Sequence, residues 1–304
     1  MTIRIGTAER DGTFHSQGMA LKAVLDRRPS LAPVAVLESS SASIENANRL
    51  HASEIEFGFM ASNWIGRAKN GEPPFAQPID IRMAAPMNAG PLFFVTRADS
   101  GIRTVADLRG KRVVVGMKTS GMVQHAHNIF PVLGMSFADF TPVYLDFAAG
   151  ADALAAGEAD AQFQCPIPNK VMTELAALVD VRVLPYPADA LDRLMRAVSF
   201  YRPVTMYKGA VRGLDHDVTQ PAVVNVLATH ARVPEATVAA AVTAIVEGVV
   251  ELGRRNPLFL SLYAFIEPLR RAGQAALSFG GVPLHAGALR AYREAGLLPH
   301  GAGE

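Results

Sequence analysis

Four short polar segments carry the residues of this chain that are best suited to chemistry. They are residues 7–13, 39–43, 62–63 and 118–121, and each follows a predicted strand and precedes a predicted helix. In open α/β sheets, ligands bind at the carboxyl ends of strands. The start of a helix presents unpaired backbone N–H groups and the positive end of the helix dipole. The predicted chemistry is therefore the binding of a small anion such as a carboxylate.

Each segment also has a simpler interpretation, because serine, threonine and glycine commonly cap helices. For any one segment, capping is the better explanation. Four segments at equivalent positions after predicted strands favour a binding site.

The first segment is unusual because it places three charges in a row, Glu9, Arg10 and Asp11. An arginine fork is well matched to a carboxylate, so Arg10 is one candidate for the positive charge that holds an anion. Lys118, in the fourth segment, is the other candidate. Glu9 and Asp11 beside Arg10 could instead supply acid/base chemistry together with an anion clamp.

Cys165 follows a predicted strand, and we expect it to line the same site. A nucleophilic cysteine needs an activating base, and none is identifiable, so we predict no catalytic residue. The full set of predicted ligand contacts is Thr7, Glu9, Arg10, Thr13, Phe14, Ser43, Asn46, Ser62, Asn63, Lys118, Thr119, Ser120 and Cys165.

Other chemistries fit the sequence poorly. Residues 116–121 have the glycine spacing of a phosphate-binding loop, but Met122 and Val123 follow where lysine and serine or threonine are required. His125 and His127 are two apart on a predicted helix and point to different faces, whereas zinc on a helix prefers a spacing of four. We therefore predict no metal and no cofactor.

The composition favours a folded chain that does not bind nucleic acid. Of its 304 residues 50% are hydrophobic and 19% are charged, and the net charge is +1. No basic tract stands out, which argues against nucleic acid or an anionic membrane surface as the main partner. The single cysteine allows no intrachain disulfide. No stretch approaches the roughly 18 apolar residues of a membrane span.

Strand and helix signals alternate along the chain and predict an α/β fold with mostly parallel sheets. Predicted strands cover residues 3–6, 34–37, 55–60, 81–86, 92–96 and 113–115. Predicted helices cover residues 14–25, 44–51, 148–156 and 238–252, the last being the clearest.

In the order and spacing of its motifs, the chain resembles the TAXI family of solute receptors for tripartite ATP-independent periplasmic (TRAP) transporters. The glycine-rich opening (residues 5–7, 12–14 and 18) and residues 42–46, Ala-Ser-Ile-Glu-Asn, are similar to that family's first two motifs. Further similar motifs are residues 62–63, 70–71, 100–102, 107–111, 115–116, 120–121, 168–169, 200–201, 213, 283–288 and 292–297.

This resemblance implies a two-lobed fold like that of type II periplasmic binding proteins, with a ligand cleft between the lobes. Lobe I would hold residues 1–94 and 206–304, and lobe II residues 95–205. Such receptors bind a small organic acid or amino acid, close around it by a hinge transition, and deliver it to membrane permease subunits. Because such receptors are periplasmic, the resemblance implies a periplasmic location for this protein.

The departures from the family pattern concentrate in the predicted site, where residues 8–11 place charges at positions that are usually small. The alternative is therefore a cytoplasmic enzyme on the same fold, decarboxylase-like or using other acid/base chemistry on a small carboxylate. No signal peptide is recognisable after Met1, which would favour a cytoplasmic location if the chain begins there.

Overall fold

The chain divides into two packed units. The computed structural model describes residues 2–10, 12–39, 42–118 and 120–299. Unit 1 is Met1–Ala89 with Val224–Glu304, and unit 2 is Gly90–Val223. The chain passes from one unit to the other within two long strands, at Gly90 and at Val224. The lobe boundaries expected from the sequence, at 94/95 and 205/206, stay a prediction.

The strands, in chain order, are β1 (Ile3–Gly6), β2 (Val34–Leu37), β3 (Phe57–Ala61), β4 (Ile81–Pro91), β5 (Phe93–Arg97), β6 (Arg112–Val114), β7 (Thr141–Val143), β8 (Ala161–Gln164), β9 (Val181–Leu184), β10 (Tyr201–Met206) and β11 (Val218–His230). The helices are α1 (Thr13–Leu25), α2 (Ser43–His51), α3 (Ser62–Asn70), α4 (Gly121–Val132), α5 (Phe147–Ala155), α6 (Lys170–Leu178), α7 (Ala188–Ala197), α8 (Glu235–Glu247), α9 (Val249–Arg255), α10 (Leu262–Ile266), α11 (Leu269–Ala272) and α12 (Ala286–Glu294). Short 3₁₀ turns cover Val105–Leu108, Pro257–Phe259 and Gly273–Leu277.

The sheet of unit 1 is mixed. β1 pairs in parallel with β2 on one side and with β3 on the other, and β11 pairs antiparallel with β3. β4 joins the sheet by pairing with β11. Fully buried Ile5, Phe57 and Phe59 pack there with Leu21 of α1 and Ile245 of α8.

Unit 2 is built around a second mixed sheet of order β7-β6-β8-β5-β9. β6 is parallel to β7 and β8, whereas β5 is antiparallel to both β8 and β9. Its core stacks Phe94 on Phe163 at 4.5 Å between ring centroids, with Phe130 alongside. β10 pairs antiparallel with residues 218–223 of β11.

The alternation of strands and helices predicted mostly parallel sheets, and that prediction is wrong in detail. β5 begins two residues after β4 ends, with no helix between them that could carry the chain back for a parallel pairing. β5 pairs instead with β8 and β9, which are distant in sequence, and both pairings are antiparallel.

The helix predicted over residues 238–252 is two helices, α8 and α9, which meet at Gly248 with a bend of 72°. A side chain at Gly248 would lie 2.6 Å from the Ala244 carbonyl oxygen and 2.8 Å from Val24 Cγ1, so the bend packs closely against α1. Across the described residues, no single helix is long and apolar enough to cross a membrane. The bent pair of α8 and α9 meets this criterion of length and composition only when the two helices are counted together.

The contact between α8 and α12 leaves no room for a side chain at Gly287. A Cβ there would lie 2.3 Å from the Glu235 carbonyl oxygen and 2.8 Å from the Ala239 nitrogen, both backbone atoms of α8. We expect Gly287→Ala to lower the free energy of unfolding by about 1–3 kcal/mol, the cost of overpacking. Thermal and urea unfolding measure this loss.

Gly121→Ala is the matched control, because a Cβ at Gly121 in α4 meets nothing within 4 Å. This control should unfold like the unchanged protein. Equal stability of the two variants would contradict the close approach of α12 to α8.

Candidate functional site

Three predicted binding segments meet at one edge of the unit 1 sheet. β1, β2 and β3 are parallel neighbours, so their carboxyl ends lie at the same edge. The residues that follow these ends are 7–10, 39, 42–43 and 62–63, and we call this set the polar edge. The fourth segment, residues 118–121, follows β6 in unit 2.

Three helices begin at the polar edge after residues that provide no side-chain cap. The residues that precede their first turns are Gly12 for α1, Ala42 for α2 and Ala61 for α3, and none has a side-chain oxygen. Each helix start directs backbone N–H groups and a partial positive charge outward. An anion bound there would accept hydrogen bonds from these N–H groups.

Three helices of unit 2, α4, α5 and α6, are capped by the side chains that precede them, whereas α7 starts after Pro187 without such a cap. The side-chain oxygens of Ser120, Asp146 and Asn169 accept hydrogen bonds from the first turns of α4, α5 and α6. Ser120 was predicted to contact a ligand, and its Oγ accepts from Val123 N at 3.4 Å. The capping interpretation of Ser120 therefore fits the structure.

Buried hydrogen bonds hold the polar edge in place. The carbonyl oxygen of Thr7 accepts from Ser39 Oγ and from Asn46 Nδ2, both at 2.7 Å. Asn46 Nδ2 also donates to the carbonyl oxygen of Phe59 on β3 at 2.9 Å. The Thr7 hydroxyl donates to the Leu37 carbonyl oxygen at 2.9 Å. Thr7 and Asn46 therefore join the ends of β1, β2 and β3.

Ser43 and Ser62 are also engaged with the backbone. Ser43 Oγ accepts from Ala61 N at 3.0 Å, and Ser62 Oγ accepts from Val224 N at 3.1 Å. Asn63 differs, because its Oδ1 atom is buried and has no hydrogen-bond partner within the described parts of the chain. Thr13 and Phe14 are half-buried at the start of α1, and the Phe14 ring lies 5.5 Å from that of Phe59.

The charged residues of the first segment lie at the surface. Arg10 is 78% exposed, and its Nε donates to Glu38 Oε1 at 3.0 Å. Glu9 is exposed as well. An exposed ion pair of this kind contributes little free energy, so a bound anion could replace Glu38. Asp11, Ser40, Ser41 and Thr119 lie outside the described residues, and a ligand contact by Thr119 stays a prediction.

The second predicted cation, Lys118, is exposed in unit 2. Its Nζ lies 5.3 Å from the centre of the Tyr144 ring, a cation–π contact. The structure thus groups Thr7, Ser43, Asn46, Ser62 and Asn63 within unit 1 and places Lys118, Ser120 and Cys165 in unit 2.

Half-buried Cys165 and buried His125, both in unit 2, are held in their neutral forms. Burial raises the pKa of Cys165 to about 12, so the thiolate that a nucleophile requires is scarce. Burial also lowers the pKa of His125 to about 4, and its Nδ1 is 2.7 Å from the Tyr201 hydroxyl oxygen. The described residues contain no group of three or more histidine, cysteine or acidic side chains that could hold a metal ion.

A buried amide cluster in unit 1 was not predicted from the sequence. Asn88 Oδ1 accepts from Gln17 Nε2 and from Asn225 Nδ2, both at 3.1 Å. Gln17 Oε1 is buried without a partner in the described residues. The sequence signal for this cluster was an amide side chain inside an otherwise apolar strand or helix. Such a side chain needs hydrogen-bond partners when it is buried.

Comparisons with known proteins agree with this architecture. The sequence profile of the NMT1-like family matches residues 5–296, and the chain belongs to that family. Solved structures share the fold at low identity. The putative periplasmic sulfonate-binding protein of Methylobacillus flagellatus is 15% identical with a TM-score of 0.57, covering 98% of this chain and 95% of its own.

Two further solved structures are similar. The TctC solute binding protein from Polaromonas is 13% identical with a TM-score of 0.56, over 92% of this chain and 97% of its own. The periplasmic aliphatic sulphonate binding protein of Escherichia coli is 17% identical with a TM-score of 0.50, over 98% and 88%. The predicted α/β fold, like that of periplasmic binding proteins, is confirmed.

The hydrogen bonds of Asn46 predict a large structural effect of its removal. Asn46→Ala deletes both bonds of Nδ2 and leaves the buried Phe59 carbonyl oxygen without that donor. We expect the free energy of unfolding to fall by about 2–3 kcal/mol. Exposed Asn48, on the same helix, is the control, and Asn48→Ala should change stability by less than about 0.5 kcal/mol. Equal effects in urea unfolding would contradict the structural role of Asn46.

The raised pKa of Cys165 predicts slow alkylation. At pH 8 the native thiol should react with iodoacetamide on the order of a thousandfold more slowly than in the urea-unfolded chain, since the thiolate is the reactive form. Mass spectrometry of quenched samples gives both rates, and Cys165 is the single cysteine. Equal rates in the two states would show that the thiol is neither shielded nor shifted.

Proposed function

We propose that this NMT1-like protein is a solute receptor that binds a small organic anion at the polar edge of unit 1. The observation that carries the proposal is the convergence of α1, α2 and α3 at one sheet edge. All three helices start there after Gly12, Ala42 and Ala61, which have no capping oxygen. A carboxylate is the expected anionic group, because it can accept several backbone N–H bonds at once.

Two side chains of the same edge support anion binding. Among the described residues, Arg10 pairs with exposed Glu38 alone, so its guanidinium can exchange that carboxylate for one on the solute. The buried Oδ1 of Asn63 accepts no hydrogen bond within the described residues and suits a donor on the solute, such as a hydroxyl or ammonium group. These features favour a hydroxy acid or an amino acid.

The transport role rests on the similar proteins rather than on the polar edge itself. The relatives in Methylobacillus flagellatus and Escherichia coli are named as periplasmic sulfonate-binding proteins, and the Polaromonas protein as a solute binding protein. We propose a carboxylate solute, a periplasmic location and delivery to the permease subunits of a TRAP transporter of the TAXI type. Lys118, Thr119, Ser120 and Cys165 of unit 2 stay predicted contacts.

A thermal-shift screen with matched anions tests this proposal. Short-chain carboxylates are each compared with the sulfonate of the same body, such as β-alanine with taurine and 3-hydroxypropionate with isethionate, and 1,3-propanediol serves as the neutral analogue. A solute at a hundred times its Kd stabilises the native state by about 2.7 kcal/mol. We expect carboxylates to raise Tm and the neutral analogue to leave it unchanged. A preference for sulfonates would contradict the carboxylate assignment.

The variant Ala61→Asp tests the helix start directly. Aspartate at this position caps α3 and places a negative charge where the anion would bind, so thermal stability should rise by about 1 kcal/mol while affinity falls. Ala61→Asn caps the helix without the charge and is the matched control. Calorimetry should show weaker binding for the aspartate variant than for the asparagine variant, and equal affinities would contradict anion binding at α3.

The fate of the solute separates a receptor from an enzyme. After prolonged incubation with the protein, a bound solute recovered unchanged by NMR fits a receptor. Conversion to product would contradict it and favour acid/base chemistry by Glu9 and its neighbours.

A further inference from the structure

A cavity of about 330 Å³ lies in unit 1 at the sheet edge opposite the polar edge. β1, β2 and β3 are parallel, so their amino ends share this edge, and β11 ends here because it runs antiparallel to β3. The cavity is lined by the first residues of β1, the turns before β2 and β3, and the segment after β11. It shares no residue with the polar edge.

The walls of the cavity are largely apolar. Ile3, Leu50, Ile55 and Val233 are all buried and line it from four different segments of the chain. Its volume falls in the range of pockets that enclose small organic molecules. An apolar body of a few carbon atoms would therefore fit between these side chains.

The charges of the cavity do not cancel. Arg4 Nη2 donates to Glu56 Oε1 at 2.6 Å, and Arg4 Nε donates to Glu56 Oε2 at 3.2 Å, so this pair is internally neutral. Burial alone would raise the pKa of Glu56, but these hydrogen bonds lower it overall and keep the carboxylate ionised. His230 is neutral near pH 7, because burial and then the guanidinium of Arg232 lower its pKa to about 4.

Arg232 supplies the remaining positive charge and has no carboxylate partner among the described residues. Its Nη1 donates to Ser53 Oγ at 2.8 Å, its Nη2 to the His51 carbonyl oxygen at 2.6 Å, and its Nε to His230 Nδ1 at 3.1 Å. One N–H on each terminal nitrogen is left without a partner in these residues. Neutral groups thus orient a guanidinium that could still donate two N–H bonds to an anion in a bidentate fork.

The turn that holds Arg232 is itself constrained. Ser53 adopts a φ of 61°, a left-handed conformation that is uncommon for residues other than glycine. Its carbonyl oxygen accepts from Arg4 Nη2 at 3.0 Å, while its hydroxyl accepts from Arg232. Both arginines therefore fix the turn between α2 and β3, and the guanidinium of Arg232 is pre-oriented at the cavity.

We propose that this cavity is a second binding site, for a small organic monoanion whose apolar body packs against Ile3, Leu50 and Ile55 and whose carboxylate pairs with Arg232. A monoanion matches the single uncompensated charge, and an apolar body matches the walls. The inference is independent of the proposed solute site, because the two sites lie at opposite edges of one sheet.

Hexanoate is the probe, with hexan-1-ol and acetate as its matched analogues. Hexan-1-ol lacks the negative charge and acetate lacks the apolar body, so each should bind at least about tenfold more weakly than hexanoate. In ¹⁵N-labelled protein, hexanoate should shift the backbone signals of Ile55 and Val233 in a saturable manner. Shifts confined to Ser62 and Asn63 would place the probe at the polar edge and overturn the second site.

Two variants and one control test the residues. Arg232→Gln should weaken hexanoate binding by about tenfold or more, because the charge-assisted bonds are lost. Ala32→Phe, also at the cavity, should fill it and abolish binding while leaving Arg232 intact. Arg27→Gln removes the same charge from an exposed residue outside the cavity and should bind hexanoate normally. Undiminished binding in Ala32→Phe, or no saturable binding by the unchanged protein, would overturn the proposal.

Discussion

The parallel pairing of β1, β2 and β3 is the constraint on which the rest of unit 1 depends. Because the three strands share a direction, every segment that follows them lies at one sheet edge and every segment that precedes them lies at the other. The first edge collects helix starts and hydroxyl side chains, and the second collects apolar turns and two arginines. One pairing direction thus produces two edges of different chemistry.

Close packing around Asn46 makes that pairing specific. A Cβ at Gly6 would lie 2.4 Å from Asn46 Oδ1, and one at Gly58 would lie 3.0 Å from Asn46 Cβ. These two glycines let the helix α2 approach the strand ends closely enough for Asn46 to reach the carbonyl oxygens of Thr7 and Phe59. Since these buried acceptors would be costly to leave unpaired, the same bonds stabilise the fold and form the base of the candidate site.

The charges that stand out in the sequence have partners in the structure. Arg10 pairs with Glu38, which follows β2, and Lys118 lies near the Tyr144 ring. Neither partner is adjacent in sequence, so no local pattern could have identified it. Arg232, which the sequence did not single out, is an arginine without a carboxylate partner in the described residues, because folding brings it beside serine, histidine and a backbone carbonyl.

The sequence by itself determined the local elements and the chemical type of the polar edge. The strands at residues 3–6 and 34–37 and the helix from Phe14 follow from apolar patterning and turn residues, and all three were predicted within a residue. The motifs that resemble those of a receptor family predicted the fold, because such motifs occur together in proteins that share it.

Only the tertiary structure decided the direction of β5 and β11, the break at Gly248, the ion-pair partners and the cavity at the amino ends of the strands. These features depend on contacts between residues far apart in the chain, whose pairing is set by packing rather than by any local periodicity.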